Sequence, residues 1–516
     1  QASVVYEQAL KIWQQDGNLY WQANLLNNMG VMYHGNGEYE KAAQAFEDGL
    51  LCALRSNYTR NEALISISLG DLYAEVEGFE AAYQNYRHAD GITQTMDDRF
   101  LIHALGLSRV NLALLKEELE SAQWLIETAG ESIRSGNARF ENGLLNLYHG
   151  RLFLMLADPA KALVSLKKAE RSFVEDEREL EGAICRVWLA AAHLQNGDQT
   201  AAAEKIMSVV GGKIPNPVLI AVHQARVWLE VLQKDRDSAR AVGDLFSQAF
   251  RLGEKLPSIR RHLRRQAHVM QVPEPHISIQ ALGRAQVSVG SKLLTLSDWQ
   301  TQSVRDLFFY FLRTTRPLTK EQIGETLWPD QYDTSKLKLR FKNEIYRLRR
   351  AVGQEVIQFE DVYYSFNRNL DYEYDVEAFE AYVARARSAQ SSRERIQFYQ
   401  KAVDLVHGPY LNDMYVDWVF PERERLSQMI LNSFESLAEL YLRQAQPEES
   451  LAICQRAIEY DLGFEPAYRI SMLAYDRLDD KPSIPRVYQA CREACMQQFN
   501  LPPSRETDDL YHQLIK

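Results

Sequence analysis

The sequence predicts a mainly α-helical protein in which one small module contains β-strands. Three observations support this fold class. A repeat of 40 residues runs through the first half of the chain, short alternating segments flank a basic helix between residues 277 and 370, and helical periodicity returns after Asp375. A chain of 516 residues is too long for a single hydrophobic core, so we expect about three or four domains.

The repeat is marked by small residues at fixed positions. Alanine recurs every 40 residues, and a large aromatic or aliphatic residue lies four positions after each alanine. Small residues allow two helices to cross closely while large residues fill the groove beside them, which predicts stacked helical hairpins. The marking alanines are Ala2, Ala42, Ala82, Ala122, Ala162 and Ala202.

One copy of the repeat, MGVMYHGNGEYEKAAQAF, resembles the tetratricopeptide repeat. Gly30, Tyr33, Ala42 and Phe46 match the helix–turn–helix motif of that family. The period of 40 residues exceeds the usual period of about 34 and is similar to that of MalT-like bacterial regulators. The resemblance implies a tetratricopeptide-repeat solenoid over residues 1–268, with a concave face that binds an unknown effector or protein.

Both ends of this solenoid carry a prediction. Ala2 falls on the second helix of a repeat whose first helix is missing, and residue 1 is Gln. We therefore predict that the solenoid is truncated at its N-terminus and that the cut edge exposes apolar surface. At the other end, a cluster of four arginines is predicted to be a solvated helix face; it consists of Arg260, Arg261, Arg264 and Arg265.

Composition and motifs argue against several classes of function. No apolar run approaches the roughly 20 residues that cross a bilayer, and the odd, scattered cysteines favour a reducing cytoplasm. Phosphate-binding loops, His-Glu-x-x-His and Gly-x-Ser-x-Gly are all missing. We therefore predict no membrane contact, no enzyme activity, no cofactor and no metal. Cys491 and Cys495 lie four residues apart, but no further ligand lies near them in the sequence, so we expect buried thiols.

A proline-containing linker at 269–276 precedes a basic module at 277–370. The module carries 14 Lys and Arg against 10 Asp and Glu, a net charge of +4. The whole chain carries −11, so the remainder carries −15. Alternating strands, a first helix, a short helix in LTKEQIGETLWPD, the basic helix and a hairpin-like VIQFEDVYYSF follow one another in this module.

This order resembles the OmpR/PhoB-type winged helix-turn-helix of regulators of the SARP/AfsR type. LTKEQIGETLWPD is similar to the positioning helix of that family, and IYRLRRAVG is similar to its recognition helix. The resemblance covers Ile277–Phe366 and implies binding to double-stranded promoter DNA in a bacterial cytoplasm. The helical series at 371–516 resembles the TPR-like bacterial transcriptional activation domain of the same regulators, which implies contacts with RNA polymerase or neighbouring subunits.

The basic helix supplies the candidate DNA-contacting residues. Thr334–Arg350 contains seven Lys or Arg and one acid, and its apolar residues recur at spacings of four and three. Asn343 and Arg347 are predicted to contact base edges, because Asn pairs with adenine and Arg with guanine in the major groove. Tyr346 lies on the same outward face, and the predicted phosphate contacts come from Lys336, Arg340, Lys342 and Arg350.

The hairpin departs from the family pattern. Its tip, Glu360–Tyr364, is acidic and lacks glycine, so no arginine is available there for a minor groove. Tyr363 or Tyr364 could donate to a phosphate instead. The departure places in doubt the family's use of this wing for recognition.

Two functions follow from these observations. The first is a DNA-binding transcriptional regulator in which the solenoid senses a ligand or partner and the winged helix binds promoter DNA. The alternative is an interaction scaffold whose winged helix docks protein. Regulators that join such solenoids to a DNA-binding end often carry an upstream ATPase of the STAND class, and nothing in these 516 residues shows one.

Overall fold

The computed structural model describes residues 2–135, 139–210, 214–234, 239–269, 275–330, 333–389 and 391–516. Over these residues the protein is mainly α-helical, and its small sheets lie within residues 277–374, that is, in the basic module and just after it, which confirms the predicted fold class. The chain divides into two compact units, Gln1–Pro273 and Glu274–Lys516. Most of the predicted linker lies outside the described residues. In the described ranges, no helix has both the length and the apolar character that spanning a membrane requires.

The first unit is a series of helical hairpins in which each helix from α1 to α10 packs against the next, and α12 packs against α10 and α13. Most helices contain 17 residues and are joined by short turns. They are α1 (Ala2–Gln15), α2 (Leu19–Gly35), α3 (Tyr39–Arg55), α4 (Thr59–Glu75), α5 (Phe79–Thr93), α6 (Arg99–Leu115), α7 (Leu119–Ser135), α8 (Arg139–Met155), α9 (Pro159–Glu175), α10 (Glu179–Gln195), α11 (Gln199–Met207), α12 (Asn216–Leu229) and α13 (Ala239–Gln266).

Close helix crossings explain the small residues of the repeat. A Cβ atom added at Gly30 would lie 2.4 Å from the ring of Phe46, and one at Gly70 would lie 2.2 Å from the ring of Tyr86. At Gly150 the same atom would lie 2.4 Å from Leu166. The first helix of each of these hairpins therefore has a glycine at the position where the large residue of the second helix packs against the backbone of the first.

The turns repeat with half the period of the hairpins. A residue with positive φ ends a helix at Gly37, Glu77, Glu117, Ala157 and Gly197, and further positive-φ residues fall midway between some of these. The backbone N–H of Gly37 donates to His34 O at 2.8 Å, and that of Glu38 donates to Tyr33 O at 2.8 Å. The turn therefore supplies hydrogen-bond donors to carbonyls in the last turn of α2. Glu77, Glu117 and Ala157 adopt this left-handed backbone although only glycine does so without strain.

The strain at Glu117 generates a prediction. Its side chain is exposed and its φ is +59°, so Glu117→Gly should stabilise the first unit by about 0.5–1 kcal/mol. The control substitution Glu120→Gly changes a residue in the first turn of α7 and should destabilise that helix by about 1 kcal/mol. Thermal unfolding of both variants measures the effect. Equal destabilisation by the two substitutions would contradict the assigned turn.

The C-terminal part of the first unit packs back against its first repeats. Asn216 Nδ2, at the start of α12, donates to Gly37 O at 3.3 Å. Arg260 Nη1, on α13, donates to Val76 O at 2.7 Å. The prediction of a solvated arginine face is therefore wrong, since Arg261 and Arg265 are also buried, at 7% and 9% exposure. These side chains extend from α13 into the packed interior of the unit, where sequence spacing alone cannot place them.

The predicted edge of the solenoid has an apolar surface. On α1, Val4, Val5 and Ile12 are each more than half exposed. The first helix of the unit thus presents aliphatic side chains to solvent, as the repeat pattern predicts. The truncation itself stays a prediction.

The second unit begins with two sheets and four helices in the predicted winged-helix order. The sheets have strand orders β3-β2-β1-β7 and β4-β6-β5, and the β1–β7 pair is parallel while the other pairs are antiparallel. Their elements are β1 (Ile277–Gln280), β2 (Gln286–Val289), β3 (Lys292–Leu293), α14 (Leu296–Trp299), α15 (Gln302–Arg313), β4 (Leu318–Thr319), α16 (Lys320–Leu327), α17 (Thr334–Val352), β5 (Ile357–Glu360), β6 (Tyr363–Phe366) and β7 (Tyr372–Tyr374).

Seven helices complete this unit and share its core. Buried residues from Ile277 to Ala474 form one continuous hydrophobic cluster, so the winged-helix module and the first helices that follow it are packed together. The helices are α18 (Asp375–Ser388), α19 (Ser392–Asp404), α20 (Phe420–Arg443), α21 (Pro447–Tyr460), α22 (Glu465–Arg477), α23 (Ser483–Phe499) and α24 (Arg505–Leu514).

A buried carboxylate connects the two parts of the second unit. Asp375 Oδ2, at the start of α18, accepts hydrogen bonds from the backbone N–H of Ala281 at 2.7 Å and of Leu282 at 2.8 Å. The same loop pairs with the segment after α19, because His407 N donates to Leu282 O at 2.8 Å and Leu411 N donates to Ala281 O at 2.7 Å. The end of β1 is thereby bonded to two separate segments of the helical part.

Asp375 generates a pH-dependent prediction. Burial raises its pKa to about 7, above the value of about 3.9 for an unfolded chain. The folded state therefore binds this proton more tightly, and the carboxyl's contribution to stability falls as pH rises from about 4 to about 7. Asp375→Asn keeps the accepting oxygen and should remove this pH dependence, as measured by unfolding across that range.

Asp375→Ala is the matched comparison. It leaves the Ala281 and Leu282 N–H groups unpaired in a buried site and should destabilise the second unit by about 2–4 kcal/mol at every pH. If the free energy of unfolding varied with pH in the same way in the native chain and in Asp375→Asn, the role assigned to the Asp375 carboxyl would be contradicted.

Candidate nucleic-acid interface

The basic helix α17 has defined ends. The side chain of Asp333 accepts from Ser335 N at 2.8 Å and from Lys336 N at 3.2 Å, which caps the first turn. Gly353 ends the helix with φ +144°. The helix therefore covers the stretch in which the sequence places its cations.

The inward face of α17 is the predicted apolar stripe. Its five residues are buried against the module's core; they are Leu337, Phe341, Ile345, Leu348 and Val352. A Cβ atom at Gly324 would lie 2.5 Å from Leu337, so α16 approaches α17 closely at a glycine. This crossing fixes which face of α17 points away from the module.

The structure brings the predicted DNA-contacting residues together on the opposite side of α17. Arg340 and Arg347 are partly exposed. The others are exposed; they are Lys336, Lys342, Asn343, Tyr346 and Arg350. The helix thus presents a strip of cations with one amide and one phenol among them, a surface suited to a major groove and its flanking phosphates.

Arg340 is positioned by an aromatic residue. Its guanidinium lies 4.6 Å from the ring centroid of Trp328, and Trp328 is buried and donates from Nε1 to Ser303 Oγ at 3.1 Å. A guanidinium over an indole face is held by cation–π attraction while its N–H edges stay available. Sequence reasoning identified both residues but not their contact, since they lie on different elements.

Arg347 is paired with the one acid of the helix. Its Nη1 lies 3.7 Å from Glu344 Oε1, and Glu344 is buried, with 5% of its surface exposed. Burial raises the pKa of Glu344, and Arg347 opposes that rise. The ion pair restrains Arg347, which is 35% exposed, beside its predicted base-contacting partner Asn343. Sequence reasoning counted Glu344 as a charge only; its position as the lone acid in a cationic stretch was the available signal.

Arg349 differs from its cationic neighbours. Its Nη2 donates to Ile357 O at 2.8 Å, so the side chain ties the end of α17 to β5. This contact agrees with the omission of Arg349 from the predicted DNA-contacting set. It also joins α17 to the hairpin that follows it.

The hairpin β5–β6 has a tip that is both acidic and apolar. Asp361 adopts φ +58°, and Val362 and Tyr363 beside it are exposed, as is Phe359 on β5. Tyr364 packs instead, with its ring 4.7 Å from that of Phe341 and 4.5 Å from that of Phe359. Of the two tyrosines predicted as alternative phosphate donors, Tyr363 is the exposed one.

A second candidate site lies within the solenoid unit. A cavity of about 380 Å³ is lined by side chains from the first helices of successive hairpins, α2, α4, α6, α8 and α10, and from α12. First helices form the concave surface of such a solenoid, so the predicted effector-binding face contains a pocket of a size suited to a small ligand.

The two neighbouring cysteines meet a carboxylate in the fold. Within the described residues, one group of three potential metal ligands has its ligand atoms within 4.8 Å of one another: Glu465, Cys491 and Cys495. Glu465 Oε2 already accepts from Ser504 Oγ at 2.6 Å and from Thr507 Oγ1 at 2.6 Å, which secures the start of α24. Burial raises the pKa of both thiols, so the arrangement favours packing and capping.

Residues 374–515, from the end of β7 through α24, match the family described as the bacterial transcriptional activator domain. This stretch is therefore similar to a bacterial transcriptional activator domain. The match confirms the predicted resemblance to SARP-type regulators. The matching residues directly follow the winged-helix module in the same compact unit.

Among solved structures, the chain is similar to Mycobacterium tuberculosis EmbR in complex with a low-affinity phosphopeptide. The sequence identity is 16% and the TM-score is 0.40. The similarity covers 47% of this chain and 65% of that chain, slightly less than two thirds of its length. No curated protein matches this chain. The assignment of the activator domain therefore depends on the family match.

Proposed function

We propose that this protein is a DNA-binding transcriptional regulator that acts in a bacterial cytoplasm. The observation that carries the proposal is the exposed strip of cations on α17, presented by a winged-helix module that shares its core with a transcriptional activator domain. Cations on an exposed helix neutralise phosphates, and the groove-facing side chains between them select bases.

In this proposal α17 enters the major groove of double-stranded promoter DNA. Asn343 and Arg347 contact base edges, with Arg347 held in place by Glu344 before DNA arrives. Arg340, fixed over Trp328, contacts a phosphate together with Lys336, Lys342 and Arg350. Tyr346 lies at the centre of this strip and contacts either a base or the sugar–phosphate backbone.

The remaining parts supply input and output. The cavity of the solenoid binds a small effector, or its concave face binds a protein partner. The helices α18 to α24 contact RNA polymerase or a neighbouring subunit. Because the winged helix and the activator domain share one core, a DNA contact by α17 sets the position of that second surface.

DNA binding by the native chain, Arg347→Ala and Lys342→Ala across a salt series tests the proposal. Arg347→Ala should cost about 1–3 kcal/mol and relax preference at one base position, because a bidentate contact to guanine is lost. Lys342→Ala should weaken binding to all sequences alike and reduce the salt slope by about 1, because it removes one phosphate contact.

The two substitutions control for each other, since both remove one positive charge from the same helix. A native chain that binds no duplex, or one whose binding is insensitive to salt and to both substitutions, would contradict the proposal. Circular dichroism of both variants should match that of the native chain, because neither side chain belongs to the apolar stripe that packs against the core of the module.

A second candidate function is a scaffold whose winged helix docks protein. The exposed apolar residues of the wing and of α17 favour it; they are Leu339, Tyr346, Phe359, Val362 and Tyr363. An apolar patch beside cations suits a protein surface as well as DNA. Under this alternative, Phe359→Ser with Val362→Ser abolishes partner binding, whereas the DNA-binding series shows no duplex affinity.

A further inference from the structure

The cavity of the solenoid contains a buried arginine without a counterion. Arg151, on α8, is 5% exposed and lines the cavity. Its Nη1 donates to Asn111 Oδ1 at 2.7 Å, and within the described residues no carboxylate lies close enough to form an ion pair with it. Burial lowers the pKa of its guanidinium to about 10. A buried guanidinium normally has an ionic partner, so the Arg151 guanidinium can still pair with an anion.

The hydrogen-bond inventory leads to the same conclusion. A guanidinium offers five N–H donors, and a single hydrogen bond to a described residue is made by this side chain. Its Nε is buried and has no partner in the described part of the chain. Aromatic faces partly compensate for the charge, because the guanidinium lies 4.7 Å from the ring of Trp188 and 5.9 Å from that of Tyr148. They supply no hydrogen-bond acceptor in the plane of the guanidinium.

Two of the acids that line the cavity, Glu75 and Asp71, are engaged with other side chains. Glu75 Oε2 lies 2.9 Å from His34 Nε2, and its Oε1 accepts from Tyr39 OH at 2.8 Å. Asp71 Oδ1 accepts from Tyr86 OH at 2.7 Å, and burial raises the pKa of that carboxyl. These groups lie on α4, whereas Arg151 lies on α8. Glu141, on α8, and Glu181, on α10, also line the cavity, and in the described part of the chain neither forms an ion pair with Arg151.

We propose that the cavity binds a small organic anion, a carboxylate or phosphate with a flat apolar body, whose charged group pairs with Arg151. The wall around it is suited to such a body, since Phe100, Phe140 and Ile220 line the cavity together with Trp188. This inference rests on the proposed sensing role of the solenoid and specifies the chemistry of what is sensed. Arg151 is the specificity-determining residue of the site.

Four probes with the same ring test the charge requirement. Benzoate and phenyl phosphate are anions, benzamide is neutral and benzylamine is a cation. They are titrated into the full chain without DNA, by calorimetry and by thermal unfolding. The two anions should bind and raise the melting temperature, whereas benzamide and benzylamine should bind about 10-fold more weakly or not at all.

Substitutions test the residue. Arg151→Met removes the charge but keeps much of the stem, and it should weaken benzoate binding about 10- to 100-fold. Arg151→Lys should keep the preference for anions. The control Arg171→Met removes an exposed arginine on α9 and should leave benzoate binding unchanged. Without ligand, Arg151→Met should be at least as stable as the native chain, because it removes an unpaired buried charge.

Several results would overturn the proposal. They are equal binding of benzoate and benzamide, full benzoate affinity in Arg151→Met, or no binding of either anion at about 10 mM. If Arg151→Met fails to fold, the binding of the four probes to the native chain and to Arg151→Lys still tests whether the cavity prefers anions. DNA binding is measured separately, so failure of the anion site and failure of the proposed DNA-binding function remain distinguishable.

Discussion

The architecture of the second unit depends on one buried carboxylate. Asp375 lies at the start of α18 and accepts the N–H groups that follow β1, so a single side chain joins the end of that strand to the helical part of the unit. The loop that it holds also bonds to the segment after α19. Because these bonds lie within one core, α17 and the helices α18 to α22 have a fixed mutual orientation.

Charge is distributed so that an acidic protein can present a cationic helix. Neighbouring residues restrain two cations of α17: Arg340 packs on the ring of Trp328, and Arg347 pairs with Glu344. Each restraint removes conformational freedom before a partner arrives, which lowers the entropy lost on binding. The solenoid shows the inverse arrangement. There Arg151 is enclosed with aromatic rings, and its charge is directed at a cavity instead of solvent.

The parts that sequence predicts are those governed by local spacing. The 40-residue interval predicts the hairpins because each of these glycines, such as Gly30, meets a large side chain within the same hairpin. The apolar stripe of α17 is predicted for the same reason. Contacts between distant segments are not accessible in this way. Nothing in the sequence near Arg261 indicates that it is buried in its unit, and nothing near Asp375 indicates that it caps a strand about 90 residues earlier.

The contact between Asn216 and Gly37 limits how this solenoid can change. The amide of Asn216 occupies the space where a side chain at Gly37 would lie, so the turn after α2 meets the start of α12. A stack of identical hairpins could grow by duplication of a 40-residue segment, because every local contact would be copied. Here an added hairpin would carry α12 past that turn and open the cavity that α12 helps to line. The contact between α12 and the turn after α2 thus restricts the number of repeats, and the cavity depends on that number.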